Sequence, residues 1–416
     1  MRISLCPPNF RLIFGFSAVV ICGLIIHFNV RAARASAWSH GTVQWQLERA
    51  VHLEPANAEY PFKLGRLHQL INQDSDSAQK WFELAVRNNP HSSEYYLALA
   101  KACFTNDDRT RMIRALQSAL NVDPNTPSTA WEAANLYLAA GYRERALPLI
   151  RYAATTSWVY RSAALRLAWQ STHDVDRVIS EAIPVDPELY REFFRLLLSK
   201  GNLRDADKLW NHIQQLDGPF PANIVFEYFD SLTEQRRPIE AERVWQQLAR
   251  LSPEAESHQS TNGNFVVNSG FEESLLNGGR DWRVSPQDKI TIQTHELDFH
   301  SGRRSLLLTF NMVTSGDAGV FQFVPIEPNA NYVLSLAFKP LNMEGAHGIA
   351  AVVSDAYTGR TLASTEEILG SGAWSTVATP FHTDNDTTLI ILHFGRPAGT
   401  LLRGELKIDD VRISKE

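Results

Sequence analysis

The feature that most constrains this chain is an internal period of 34 or 35 residues. Alanines recur at Ala50, Ala85, Ala119 and Ala153, and Pro55, Pro90 and Pro124 follow the first three at a constant offset. Each proline reads as a helix end, because it brings no N–H to continue the hydrogen-bond ladder. A second helical stretch precedes each of these ends, over residues 60–70, 94–104 and 129–140, and Leu64-Gly65 aligns with Leu99-Ala100. Later copies are more degenerate. Asp205-Ala206 with Trp210 matches Glu240-Ala241 with Trp245, Gly201 separates helices at 189–199 and 203–214, and 158–169 with 175–183 forms a shorter hairpin. One such hairpin cannot bury its own apolar face, whereas a stack of them buries a continuous core. The expectation is about six stacked hairpins after a starting helix at about 42–53.

This pattern resembles the tetratricopeptide repeat, whose unit is 34 residues. The resemblance covers about 38–251. Ala78-x3-Phe82-x2-Ala85 and Ala146-x3-Ile150-x2-Ala153 put small residues where two helices meet. The family's first-helix tryptophan and Leu-Gly pair are mostly replaced. The resemblance implies a curved solenoid whose first helices line a concave, protein-binding face. Tyr60, Tyr95 and Tyr96 lie on first helices and are the candidate groove residues. Trp45, Trp81, Trp131, Trp158, Trp169, Trp210 and Trp245 are assigned to packing between helices, since large apolar rings are mostly buried.

Residues 12–28, LIFGFSAVVICGLIIHF, contain no Asp, Glu, Lys or Arg. A membrane-spanning helix takes about 20 apolar residues, in a range of about 17–25, and Asn29 and Val30 extend the run. Ala35-Ser36-Ala37 offers a small-x-small cleavage site. Cleaved signal peptides, however, have apolar stretches of about 7–15 residues, and here Arg31 and Arg34 separate the run from the site. An uncleaved signal-anchor is therefore favoured over a cleaved signal peptide. The short tail with Arg2 and Arg11 is placed inside. Everything after Arg31 is placed outside, giving a single-pass membrane protein whose bulk is extracytoplasmic (periplasmic or cell surface). Cys6 and Cys22 then precede or enter the membrane, which leaves Cys103 alone outside and no intrachain disulfide there.

At about residue 252 the helical period stops. The polar stretch 252–263 reads as a linker. Beyond it, β-rich runs at 289–294, 304–310, 332–338, 349–353, 388–394 and 405–413 alternate with turns and predict a sandwich. Specific words appear in order: Asn264-Phe-Val-Val-Asn-Ser-Gly-Phe-Glu272 with Trp282, then His300-Ser-Gly-Arg-Arg-Ser-Leu306 and Asn331-Tyr-Val-Leu-Ser-Leu-Ala-Phe338. Ala373-Trp374-Ser-Thr-Val and Gly404-Glu-Leu-Lys-Ile-Asp-Asp-Val411 complete the series. Together they resemble jelly-roll carbohydrate-binding modules of families 4, 9 and 22, within the galactose-binding-like fold, over about 262–416. The resemblance implies a structural Ca2+ near the joined chain ends, held by Glu272 and Asp409 with Asp410 as substitute, together with backbone carbonyls of the Ser-Gly loop. It also implies core positions for Trp282 and Trp374. The candidate sugar contacts are Tyr357, in Asp355-Ala-Tyr-Thr-Gly359, and His347, in Gly345-Ala-His-Gly348, because loops present side chains on a rigid scaffold.

Composition excludes several classes. The chain has 416 residues, 44% apolar and 21% charged, which excludes wholesale disorder. A net charge of −6 gives no basic footprint for nucleic acid, and three cysteines make no disulfide scaffold. There is no G-x-S-x-G elbow, P-loop or H-E-x-x-H motif. The adjacent carboxylates Asp107-Asp108, Glu272-Glu273 and Glu366-Glu367 are neighbours in sequence rather than a pair across a substrate. An enzyme is not expected. The fold class is multidomain: a transmembrane helix (1–37), an all-α tetratricopeptide-like solenoid (38–251), a linker (252–263) and an all-β jelly-roll sandwich (264–416). The expected function is a membrane-anchored extracytoplasmic scaffold. Its repeats would bind a protein partner and its sandwich a polysaccharide, in cell-surface or exopolysaccharide assembly. The alternatives are a protein-only assembly factor, or a noncatalytic part of a glycan-processing complex.

Overall fold

The computed structural model of the protein describes residues 8–40, 43–216, 219–260 and 263–416. Arg2 and Cys6 of the tail, Thr42 at the expected start of the first repeat helix, and Thr261 and Asn262 of the linker lie outside the described residues. The chain divides into two compact units, Met1–Val185 and Asp186–Glu416.

The first unit opens with helix α1 (Pro8–Ser39), of which Gly15–Ser39 is long and apolar enough to cross a membrane. The helix does not stop where the apolar run stops. Its last turns pack against α2 (Gln44–Leu53). Ala35 is 0% exposed and clusters with Ala50 and Tyr60, Trp38 packs against them, and Arg31 Nη2 donates to the Leu53 carbonyl at 2.7 Å. The end of α1 thus serves as the first helix of a hairpin, and Ala35-Ser36-Ala37 lies within the helix. The hairpins α3–α4 (Glu59–Leu67, Ser75–Asn88), α5–α6 (Ser93–Thr105, Arg109–Val122), α7–α8 (Pro127–Ala139, Arg143–Thr156) and α9–α10 (Arg161–Thr172, Val175–Arg177) follow. The periodic small residues sit at the helix contacts: Ala78, Ala85, Ala119, Ala146 and Ala153 are fully buried.

The second unit begins with the hairpins α11–α12 (Pro187–Leu198, Leu203–Ile213) and α13–α14 (Phe226–Glu234, Pro238–Leu248) and a short α15 (Pro253–Ser257). In each unit, the turn inside a hairpin carries one left-handed residue: Gln73, Asp107, Gly141, His173, Gly201 and Arg236. Two of these are glycine, which tolerates positive φ; the others bear a Cβ that costs about 1–2 kcal/mol there. Gln73 is exposed, with φ +55. Gln73→Gly is therefore expected to stabilise the chain by about 0.5–1 kcal/mol after the flexibility of glycine in the unfolded state is discounted. An unchanged or lower urea midpoint would count against the turn geometry.

The tryptophans divide. Trp169, Trp210 and Trp245 are buried as expected, but Trp45 is 51% exposed and Trp158 79% exposed. Trp158 falls in the single 3-10 turn before α9, and Trp45 near the start of α2, positions that stacking does not cover.

The sandwich holds β1 (Arg283–Val284), β2 (Ile290–His295), β3 (Ser305–Val313), β4 (Asp317–Pro325) and β5 (Asn331–Gly345). It continues with β6 (Ala350–Asp355), β7 (Thr361–Ser364), β8 (Ser375–His382), β9 (Leu389–Gly395) and β10 (Leu402–Lys415). Two antiparallel sheets, in orders β1-β4-β9-β6-β7 and β2-β3-β10-β5-β8, face each other. Inward residues alternate along each strand, for example Leu306, Leu308 and Phe310 on β3 and Ile390, Leu392 and Phe394 on β9. This period-2 burial fixes register, since a one-residue slip would turn the whole apolar set outward. Trp282 takes its core place between Phe271 and Phe394, with its indole N–H donated to the Asn268 carbonyl.

The polar stretch at 252–260 is structured rather than a free linker. Ser252 caps α15 through its hydroxyl, Trp245 Nε1 donates to the His258 carbonyl, and His258 is buried against Asp281. Within this unit the last helices dock directly on the sandwich. Arg280 is 3% exposed, pairs with Glu242 and donates to the Phe265 carbonyl, and Arg283 pairs with Asp230. Gly279 has φ +57, and a Cβ there would collide with the Trp245 indole.

Candidate functional site

The first helices of the first unit line a groove. Phe62 and Arg66 of α3, Leu97 and Lys101 of α5, and Trp131 and Asn135 of α7 surround a space of about 510 Å3, with Glu94 and Glu132 on its walls. Both charge signs line it, with the Trp131 ring in its wall and the buried Phe62 ring at its base.

The sequence candidates fall around this groove rather than in it. Tyr60 is 4% exposed and its hydroxyl donates to Glu54, so it does not face the groove; burial and Glu54 push its pKa up to about 12. Tyr95 is half-buried, its ring 4.6 Å from Phe62, and backs the groove wall; burial and then Glu59 and Glu94 push its pKa up. Tyr96 is half-buried and is not among the lining residues. Sequence reasoning missed Phe62 and Trp131 because helical period marks the apolar stripe without distinguishing core from groove. Cys103 is buried on α5, and burial raises its thiol to about 11, which suits packing rather than nucleophilic or redox work.

On the sandwich, Tyr357 does not stand free in its turn. Its hydroxyl donates to the Thr233 carbonyl at 3.0 Å, and the Arg236 guanidinium lies 5.0 Å over its ring. The tyrosine therefore fastens the β6–β7 turn to α13, so its hydroxyl and one ring face are engaged within the protein. His347 is half-buried and paired with Glu367 at 3.0 Å. The Gly348 N–H and then His347 draw the Glu367 carboxyl below its usual range.

Glu272 and Asp409 both bond to the 300–304 loop. Glu272 Oε1 accepts the amides of Arg303 and Arg304 at 2.8 and 3.1 Å. Asp409 is fully buried; its Oδ2 accepts the His300 and Ser301 amides and its Oδ1 the Asp410 amide. Burial raises the Asp409 carboxyl and these amides oppose the rise. A Ca2+ needs oxygen lone pairs directed at it; here Glu272 Oε1 and both Asp409 oxygens accept amide protons. Among the described residues, no three of His, Cys, Asp and Glu converge in a metal-holding group. The two carboxylates act as staples on the loop, and Gly302, at φ +68, is required there because a Cβ would strike Glu272.

A further cluster was not legible from sequence. Asp298 Oδ2 accepts the Nζ of Lys339 and of Lys407 at 2.8 and 2.6 Å, and its Oδ1 accepts Trp374 Nε1 at 3.0 Å. Burial alone would raise this carboxyl, but the three donors outweigh it and hold it well below the usual carboxylate range. Trp374 is consequently not a core residue. It lies half-buried outside the sandwich core, with its ring 5.8 Å from that of His300.

No family model matches the chain, and no curated protein matches it. Among solved structures, a family-4 carbohydrate-binding module is 12% identical over 36% of this chain and 99% of that one, with a TM-score of 0.29. The protein MamA is 15% identical over 47% of this chain and 89% of that one, with a TM-score of 0.27. The enzymatically active domain of a tailspike protein from bacteriophage CBA120 is 16% identical over 37% of this chain, TM-score 0.28, and the chain spans only 22% of its length. The fold stands on the helix order and strand pairings above.

Proposed function

We propose that this protein is a membrane-anchored, extracytoplasmic scaffold that holds a protein partner through its helical repeats and contacts polysaccharide through its sandwich. The observation that carries the reading is the groove on α3, α5 and α7, where three first helices present aromatic and charged side chains in a row. Retention of the anchor is supported by α1, a helix that continues past its apolar run without a break into turns that complete the first hairpin. The polysaccharide part is supported by the two-sheet sandwich and the ordered words of its sequence. No catalysis is assigned, and hydrolysis of a polysaccharide by the purified chain would overturn that part.

The test is photo-crosslinking in intact cells from a reactive residue at exposed Arg66 or at Trp131. A discrete protein adduct is expected from both positions and not from exposed Lys80 on α4. Equal labelling from all three would remove the groove from the reading. A second reading, an assembly factor whose sandwich lacks glycan affinity, is favoured by Tyr357, whose ring and hydroxyl are engaged by α13. Glycan-array binding by the full chain in detergent, with Ca2+ and with chelator as separate arms, decides between the two: a clean negative in both arms selects the protein-only scaffold.

A further inference from the structure

A second concave site lies in the first unit, away from the groove on α3, α5 and α7. It is a pocket of about 600 Å3 beside α2 and α4, with Trp45 and Trp81 in its wall and Glu48, Arg49 and His52 around them. The sequence pattern assigns both tryptophans to packing, yet Trp45 is 51% exposed. Its ring is not loose. Trp38, from the last turns of α1, supports it at a centroid distance of 5.2 Å, and the Arg49 guanidinium lies 5.6 Å over Trp38. Glu48 accepts a hydrogen bond from Gln44, one turn away on the same helix. The result is an indole held from behind, in a pocket that a second indole and both hydrogen-bond donors and acceptors also line.

We propose that this pocket binds a pyranose ring of a polysaccharide. A pyranose has a flat C–H face suited to an indole and a girdle of hydroxyls. An indole offers a large, rigid apolar surface with little rotamer freedom to lose. Glu48 is placed to accept from hydroxyls, and Arg49 and His52 to donate to them. A purely apolar ligand would strand those three polar groups, at a cost in desolvation. The volume lies within the range of about 300–1,000 Å3 usual for ligand sites. The site rests on the polysaccharide reading for its ligand class, and it adds a contact on the helices to the one proposed for the sandwich.

The experiment is a glycan array that includes xylohexaose and β-1,4-galactotriose, probed with the full chain in detergent, as wild type, Trp45→Ala and Trp45→Phe. Circular dichroism checks that each variant is folded, and the exposure of Trp45 makes this the expected result. Binding that falls at least tenfold in Trp45→Ala and is largely kept in Trp45→Phe supports the site. Binding unchanged in Trp45→Ala overturns it while leaving the polysaccharide reading intact. No binding by the wild type overturns both.

Discussion

Arg280→Ala is expected to destabilise the second unit by about 3 kcal/mol. Arg280 is almost fully buried, where it pairs with Glu242 of α14 and donates to the Phe265 carbonyl at the start of the sandwich. Removing one partner of a buried ion pair leaves the other charge uncompensated and costs about 3–5 kcal/mol. Glu242 keeps some solvent contact, which places the expectation at the low end. The lost bond to Phe265 adds an unsatisfied carbonyl. The measurement is the urea midpoint of the full chain, together with hydrogen exchange over 265–284. Both should move, and a double-mutant cycle with Glu242→Ala should show coupling well above the few tenths of a kcal/mol found for independent sites. Additive costs would mean that the pair does not hold α14 to the sandwich.

Asp298→Asn is expected to cost about 2 kcal/mol at neutral pH. The substitution keeps the shape of the side chain and removes the charge. Lys407, with its side chain 8% exposed, then loses its counter-ion, a penalty of about 3–5 kcal/mol when fully buried. The 27% exposure of Asp298 screens part of it. The pH dependence follows from the depressed carboxyl. The unfolded chain titrates near about 3.9 and the folded one lower, so the stabilisation is present above the unfolded value and is lost as pH falls through the folded one. The difference in melting temperature between wild type and the Asp298→Asn variant should be full at pH 7 and shrink in acid below about pH 4. A difference constant with pH would show that shape, not charge, is the contribution of Asp298.

How far these features could be read in advance depends on the range over which each is encoded. The hairpins follow from local rules. Ala85 and Pro90, or Ala119 and Pro124, lie within one helix end, and their recurrence at a fixed period reports the stack directly. The strand runs are legible for the same reason, with Leu306, Leu308 and Phe310 alternating along β3. Strand β4 does not stand out as a β-rich run in the sequence. Gly319 near its start and Pro325 at its end weaken its local pattern, and its pairing with β9 is what holds it in the sheet.

The groove and the clusters are a different matter. Asp298, Lys339, Trp374 and Lys407 come from four separate places in the sequence, and no spacing rule connects them. Tyr357 occupies an ordinary turn until α13 places Thr233 and Arg236 against it. Tyr60 lies on the first-helix face that the repeat pattern marks, but the end of α1 covers it. Likewise, the exposure of Trp45 is set by which neighbours reach it, because its own local sequence is that of any packed repeat tryptophan.

The sequence by itself therefore determined the apolar first helix, the helical repeats and the antiparallel sandwich, since backbone hydrogen bonding and the period of apolar residues act over a few residues at a time. Only the tertiary structure decided which aromatic rings are buried and which stay open, that Glu272 and Asp409 meet amide protons, and that the last helices lock to the sandwich. Those outcomes depend on burial and on pairing between distant segments, and neither exists until the chain has folded.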